Sequence, residues 1–298
     1  MGKVTQIKGD LDDVEALLEI INVLKDVSTN RFFAFAQQKN DFTKFLEVFL
    51  LFFGMLESAD TDCPLVRNNN PETDIVVITS ETSFMAQLNS RVCNAALKEY
   101  EKYPGAKVLC VGWRGAEKCR QLGMKIEKVY RDIEATGRYQ ISLMIRDFII
   151  ERMMTGVSGR ALCIYIWAKN FNVLKPRIVT LLPASELLGE QEAEAGEAGD
   201  VQVPQETRAQ DYIAESSIDG IMKVLADIWV SCRLFEIVSD TRIAESAAQA
   251  QQLEQSMEGL SKEKSGLVLS LKKANRSDLN KAMAEVFSAS KVIKAKRR

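Results

Sequence analysis

The sequence contains no histidine. The commonest general base and the commonest zinc ligand are therefore missing, and any catalytic or metal-centred reading must work with carboxylates, lysines or thiols. Proline is scarce, with six in all and none between Asp211 and Ala295, where the only glycines are Gly220, Gly259 and Gly266. An excess of one charge is also lacking: a formal net charge of -2 gives no overall electrostatic case for nucleic acid or lipid. The basic end (Lys291, Lys294, Lys296, Arg297, Arg298) reads as a solvated helix C-terminus rather than a nucleic-acid patch. No apolar run has membrane length. Phe45 to Leu56 holds Glu47 within about twelve residues, where a span needs about twenty.

The opening, MGKVTQIKGDLDDVEALLEI, is too acidic and polar for a signal peptide, and the Gly2 context lacks the Ser or Thr expected for myristoylation. The six cysteines (Cys63, Cys93, Cys110, Cys119, Cys163, Cys232) form no CxxC pair. They read as small buried residues in a reducing compartment.

What the sequence does contain is helix. From Leu253 the apolar positions run Leu253, Met257, Leu260, Leu267, Leu271, Ala274, then Leu279, Ala282, Val286, Ala289 and Ile293, with Lys264 as the polar exception. This three-four alternation is the seam of a helix that pairs with another. Unbroken over residues 211–295, such a helix would be about 120 Å long. A compact domain of this chain length spans roughly 50 Å, so the helix is expected to project. Residues 4–57 read as a second long helix, with a stripe of Leu17, Ile20, Ile21, Leu24 and Val27 that turns aromatic from Phe32 onward.

Between them lies an α/β pattern. The spacing predicts strands at 74–80, 107–111, 126–130, 161–167 and 177–182, and helices at 85–103, 116–122 and 141–155. The division is 1–57 helix, 72–188 α/β domain, 189–210 acidic loop and 211–298 helix. The economical packing pairs the two remote helices as an antiparallel coiled coil with the α/β block inserted.

No constellation carries catalysis. Cys110-Val111-Gly112-Trp113-Arg114-Gly115 sits where a phosphate loop would, but lacks GxGxxG and the lysine and hydroxyl of GxxxxGK[ST], so its glycines read as a strand-to-helix turn. Glu81, Glu117 and Asp132 could be imagined as paired carboxylates, but nothing in their spacing places them together. No cofactor or metal is expected.

Three segments resemble the gamma subunit, the central shaft, of F-type rotary ATPases. The run ITSETSFMAQLN from Ile78 to Asn89 is similar to that family's ITSDRGLCGGFN, keeping Ile78, Thr79, Ser80 and Asn89, with Ser83, Ala86 and Gln87 at its glycines. VGWRGAEKCRQLG from Val111 to Gly123 resembles VGRKGxDYFxRRG. Leu267 to Ser290 is similar, without a gap, to LTLEYNRARQAxITxELxEIVxGA. The family's basic KITKAM-type pattern in the first helix is absent.

The resemblance implies a divergent gamma subunit: an antiparallel coiled coil of terminal helices plus a small inserted Rossmann-like α/β domain, non-catalytic. It implies that the coiled coil enters a ring of alternating alpha and beta subunits. An epsilon-type subunit and a membrane c-ring would be further partners, with no nucleic acid and no small-molecule substrate. By resemblance the ring contacts are Asn275, Arg276, Asn280, Val286 and Phe287, and the location is peripheral, on the cytoplasmic face of a membrane. The readings left open are a coiled-coil adaptor with an α/β head and a small α/β enzyme with helical appendages.

Overall fold

The computed structural model describes residues 2–57, 63–82, 85–131, 137–183, 186 and 217–296, and the backbone alone at 39–57, 218–219 and 290–296. The chain forms two compact units. One combines Met1–Thr29 with Ala250–Arg298, and the other is Asn30–Gln249. Helix α1 is Lys3–Glu57 and helix α5 is Ile218–Lys296, each containing residues of both units. The acidic loop at 189–210 and the expected helix start at Asp211 lie outside the described residues.

The first unit is an antiparallel coiled coil of the start of α1 and the last part of α5. On α5, Ala250, Leu253, Met257, Leu260, Lys264, Leu267, Leu271 and Ala274 are the inward positions, all buried or half-buried. This is the predicted seam. Its polar exception is answered across the coil, where Lys264 Nζ lies 3.1 Å from Glu15 Oε1. On α1 the inward positions are Val4, Ile7, Leu11, Val14, Leu18, Ile21, Lys25 and Ser28. That corrects the expected stripe: of its members only Ile21 turns inward, while Leu17, Ile20, Leu24 and Val27 face water. A two-helix seam admits only a narrow face repeating every seven residues, and the apolar residues of α1 cover more than that face.

The second unit is built on a five-stranded sheet in the order β3-β2-β1-β4-β5. The strands are β1 Thr73–Ile78, β2 Lys107–Val111, β3 Ile126–Tyr130, β4 Arg160–Asn170 and β5 Val173–Leu182. The first four are parallel, and β5 returns antiparallel to β4. Helices α2 Ala86–Lys102, α3 Trp113–Gln121 and α4 Arg138–Met154 connect them. Every residue of β1 is buried. Alternate side chains feed two cores, which is why the strand reads as an uninterrupted apolar run. Val76 and Ile78 join Ile141, Ile145 and Ile149 of α4 and Trp229, Leu234 and Ile237 of α5. Ile75 and Val77 join Val92 and Ala96 of α2, Cys119 of α3, and Phe32 with Ile243 and Ala247.

β5 begins four residues before the expected Arg177. Lys175-Pro176-Arg177 interrupts the apolar pattern, but an edge strand tolerates a proline whose missing N–H would have faced outward. Across the sheet's other end, Asp74 accepts two hydrogen bonds from Arg152, from Nε at 2.9 Å and Nη2 at 3.0 Å. This bidentate pair ties the start of β1 to the last turn of α4.

Candidate functional site

Two places could carry function: the turn between β2 and α3, and the exposed end of α5. The turn is a packing joint. Gly112 has φ +96°, which L side chains rarely adopt, and its N–H donates to the Tyr130 carbonyl at 2.8 Å. Thr79 Oγ1 donates to the Val111 carbonyl at 2.7 Å and lies against both glycines. A Cβ on Gly115 would fall 2.0 Å from that oxygen, and one on Gly112 would fall 2.7 Å away. The space beneath a phosphate loop is thus occupied by threonine.

The N-terminus of α3 is likewise engaged. The Trp113 N–H donates to Glu81 Oε1 at 3.2 Å, so a carboxylate of the same chain meets the positive end of the helix. Nearby, the Asn89 side chain holds the backbone of Ser80 from both sides, accepting from its N–H at 2.9 Å and donating to its carbonyl at 2.8 Å. Of the residues carrying two of the resemblances, Ile78, Thr79, Ser80, Asn89, Val111, Gly112 and Gly115 belong to this joint, while Arg120 and Gly123 lie at the far end of α3. Of the imagined carboxylates, Glu117 pairs with Arg120 at 3.6 Å on the surface, and Asp132 lies outside the described residues.

Two of the buried thiols are closed to chemistry. Cys93 and Cys119 bring their sulfurs to 3.6 Å in the core between α2 and α3. The hydrogen bond to Cys119, then burial, pushes the Cys93 thiol well above its ordinary range. Cys119, hydrogen-bonded to Cys110 and buried, is pushed up to about 12. Both therefore stay protonated and are weak nucleophiles near neutrality. Among the described residues no group of three acids and thiols could hold a metal ion.

The end of α5 is different. Asn275, Arg276, Asn280, Val286 and Phe287 are all exposed, Val286 and Phe287 at 69% and 67%. Helical spacing aligns Arg276, Asn280 and Phe287 along one line, with Asn275 and Val286 on the line beside it. The structure adds Met283 to the first line and Leu279 to the second, both exposed. Met283 was not singled out from sequence. Its signal was the spacing from Asn280 and Phe287.

These seam-like residues are bare for a definite reason. From the Lys264–Glu15 pair, an antiparallel register sets Lys3 opposite about residue 276. Beyond that point α5 has no partner helix among the described residues, although its three-four pattern continues. Such a face offers apolar contact and a few hydrogen-bonding side chains, with no acid-base pair or nucleophile. It is equipped to bind protein.

The "ATP synthase gamma chain" of Desulforudis audaxviator is 23% identical over 248 residues, covering 80% of this chain and 82% of that protein. The "ATP synthase gamma chain" of Lactobacillus johnsonii is 20% identical over 280 residues, covering 92% and 81%. Among solved structures, a chain of the Euglena gracilis mitochondrial ATP synthase superposes with a TM-score of 0.61 at 13% identity. It covers 99% of this chain and 96% of its own length. The profile of the ATP synthase family matches residues 3–292, and the chain belongs to that family.

Proposed function

We propose that this chain is the central rotor shaft of an F-type or F-type-like rotary ATPase, a subunit without catalytic chemistry of its own. Its coiled coil turns inside a ring of alternating alpha and beta subunits and couples their nucleotide states to rotation of a membrane c-ring, and so to proton or other ion transport. The observation that carries this reading is the end of α5, which outruns its partner helix while keeping an apolar line exposed along Leu279, Met283, Val286 and Phe287. A slim helix with this surface can bear on a collar and still turn within it. Asn275, Arg276, Asn280, Val286 and Phe287 form the contact with that collar.

The α/β unit holds the contacts to an epsilon-type subunit and to the c-ring. The chain works peripherally on the cytoplasmic face of a membrane. No helix among the described residues is long and apolar enough to cross one. The functional divisions are 1–57, 72–188, 189–210 and 211–298.

Purification of the chain from its own host tests the reading. A 3:3:1 complex with alpha- and beta-type ATPase subunits is the expected result. Deleting Asp278 to Arg298 should weaken coupling between ATP turnover and ion transport while the α/β unit still folds. Full coupling in that truncation, or recovery of the chain with no ATPase subunit, would leave the adaptor reading in its place.

A further inference from the structure

Helix α1 carries two apolar lines, and the coiled coil uses only one. Leu17, Ile20, Leu24 and Val27 recur at three-four-three spacing on the face turned from α5, and they stay 47%, 56%, 46% and 41% exposed. Val23 beside them is 60% exposed. Large aliphatic side chains held in water over three helical turns mark a surface that another protein covers.

The same helix carries a column of charge. Asp12, Glu19 and Asp26 are exposed and recur every seven residues, so they stack in a column beyond Val23, about a third of the helix circumference from the apolar line. From Lys8 to Val27 the helix has six carboxylates against two lysines, and Lys25 is turned into the seam. Glu15 already has its cation in Lys264. Asp10 and Asp13 are exposed as well, Asp13 on the same row as Leu17 and Leu24, so with the column they are the carboxylates a partner would meet.

We infer that the partner surface facing residues 12–27 of α1 is an apolar strip edged on one side by Lys or Arg side chains, on the inner wall of the surrounding ring. The inference rests on the rotor-shaft reading and adds the chemistry of the partner. Covering Leu17, Ile20, Leu24 and Val27 favours an apolar counterpart. Covering them also strips water from Asp13 and the nearby carboxylates, which is tolerable only opposite cations. An acidic wall at this height would meet like charge along the whole column.

Photo-crosslinking in the complex isolated from the protein's own host tests this, with benzoylphenylalanine placed at Ile20, at Leu24 and, for reference, at Phe287. Attachment of the Ile20 and Leu24 probes to ring peptides that combine apolar residues with Lys or Arg is the expected result. Attachment to peptides rich in Asp and Glu overturns the inference. So does the absence of a product at both sites when Phe287 gives one, and in either case the shaft reading survives. Failure of all three probes removes the shaft reading and this inference together. If a probe-bearing chain does not assemble, Leu24→Met and Leu24→Asp replace it. Assembly with Met and its loss with Asp support the inference, and equal assembly of both overturns it.

Discussion

Thr79 and Gly115 lie 36 positions apart in sequence, yet a single added carbon on the glycine would sit 2.0 Å from the threonine hydroxyl oxygen. That closeness lets α3 start directly against the end of β1. Gly115→Ala should therefore destabilise the chain by about 1–3 kcal/mol, the usual range for forcing extra volume into a packed core. Denaturant unfolding of the purified chain measures it. Pairing the change with Thr79→Ala, which removes both the hydroxyl at 2.0 Å and the methyl at 2.4 Å, should recover part of the loss. An unchanged midpoint for Gly115→Ala would show that the joint is looser than its geometry.

Asp74 is fully buried and is held by two guanidinium bonds. Asp74→Ala leaves Arg152 without its carboxylate, and removing one partner of such a pair costs about 3–5 kcal/mol. Because Arg152 keeps some access to solvent, the lower end is expected. Thermal unfolding of the variant beside the parent chain gives the comparison. The double change Asp74→Ala, Arg152→Leu should be less harmful than Asp74→Ala alone.

The alkaline limb of stability should be set by buried acids that resist ionisation. Burial raises the Tyr130 hydroxyl to about 12 from 10.0, and Cys119 rises to about 12 from 9.0. A raised acid stabilises the fold fully below its unfolded pKa and loses that contribution as pH climbs through its folded value. Stability should thus hold to about pH 9 and fall between there and pH 12, with Tyr130→Phe flattening the part above pH 10. Chemical denaturation at fixed pH steps resolves the slope. Iodoacetamide at pH 8 should label Cys93 and Cys119 only after the chain is unfolded.

At the other end, Phe287 is mostly exposed to solvent. Phe287→Ala should leave the unfolding midpoint within about 0.5 kcal/mol of the parent. In the assembled complex the same change should lower coupled ion transport more than ATP turnover. A fall in chain stability instead would place Phe287 in an intramolecular contact.

Much of this was legible before any coordinates. The α5 seam shows in sequence because a three-four alternation is a local property, and β1 shows because burial on both faces leaves an unbroken apolar run. The α1 seam did not show. Its apolar residues cover two faces, and Lys25 and Ser28 sit on the buried one, so only the partner helix could choose between them. The strand β5 was partly hidden by Pro176, which is permitted there only because the strand ends the sheet. The motif around Thr79, Asn89 and Gly115 was visible as a motif, while its role as a packing joint depends on contacts between segments remote in the chain.

Periodicity and composition by themselves determined that two long helices flank an α/β block and that histidine chemistry is not available to the chain. Tertiary structure decided which apolar faces are covered. Hydrophobic spacing specifies that a surface can be buried, and only the position of a partner, or its lack beyond about residue 276 among the described residues, settles whether it is.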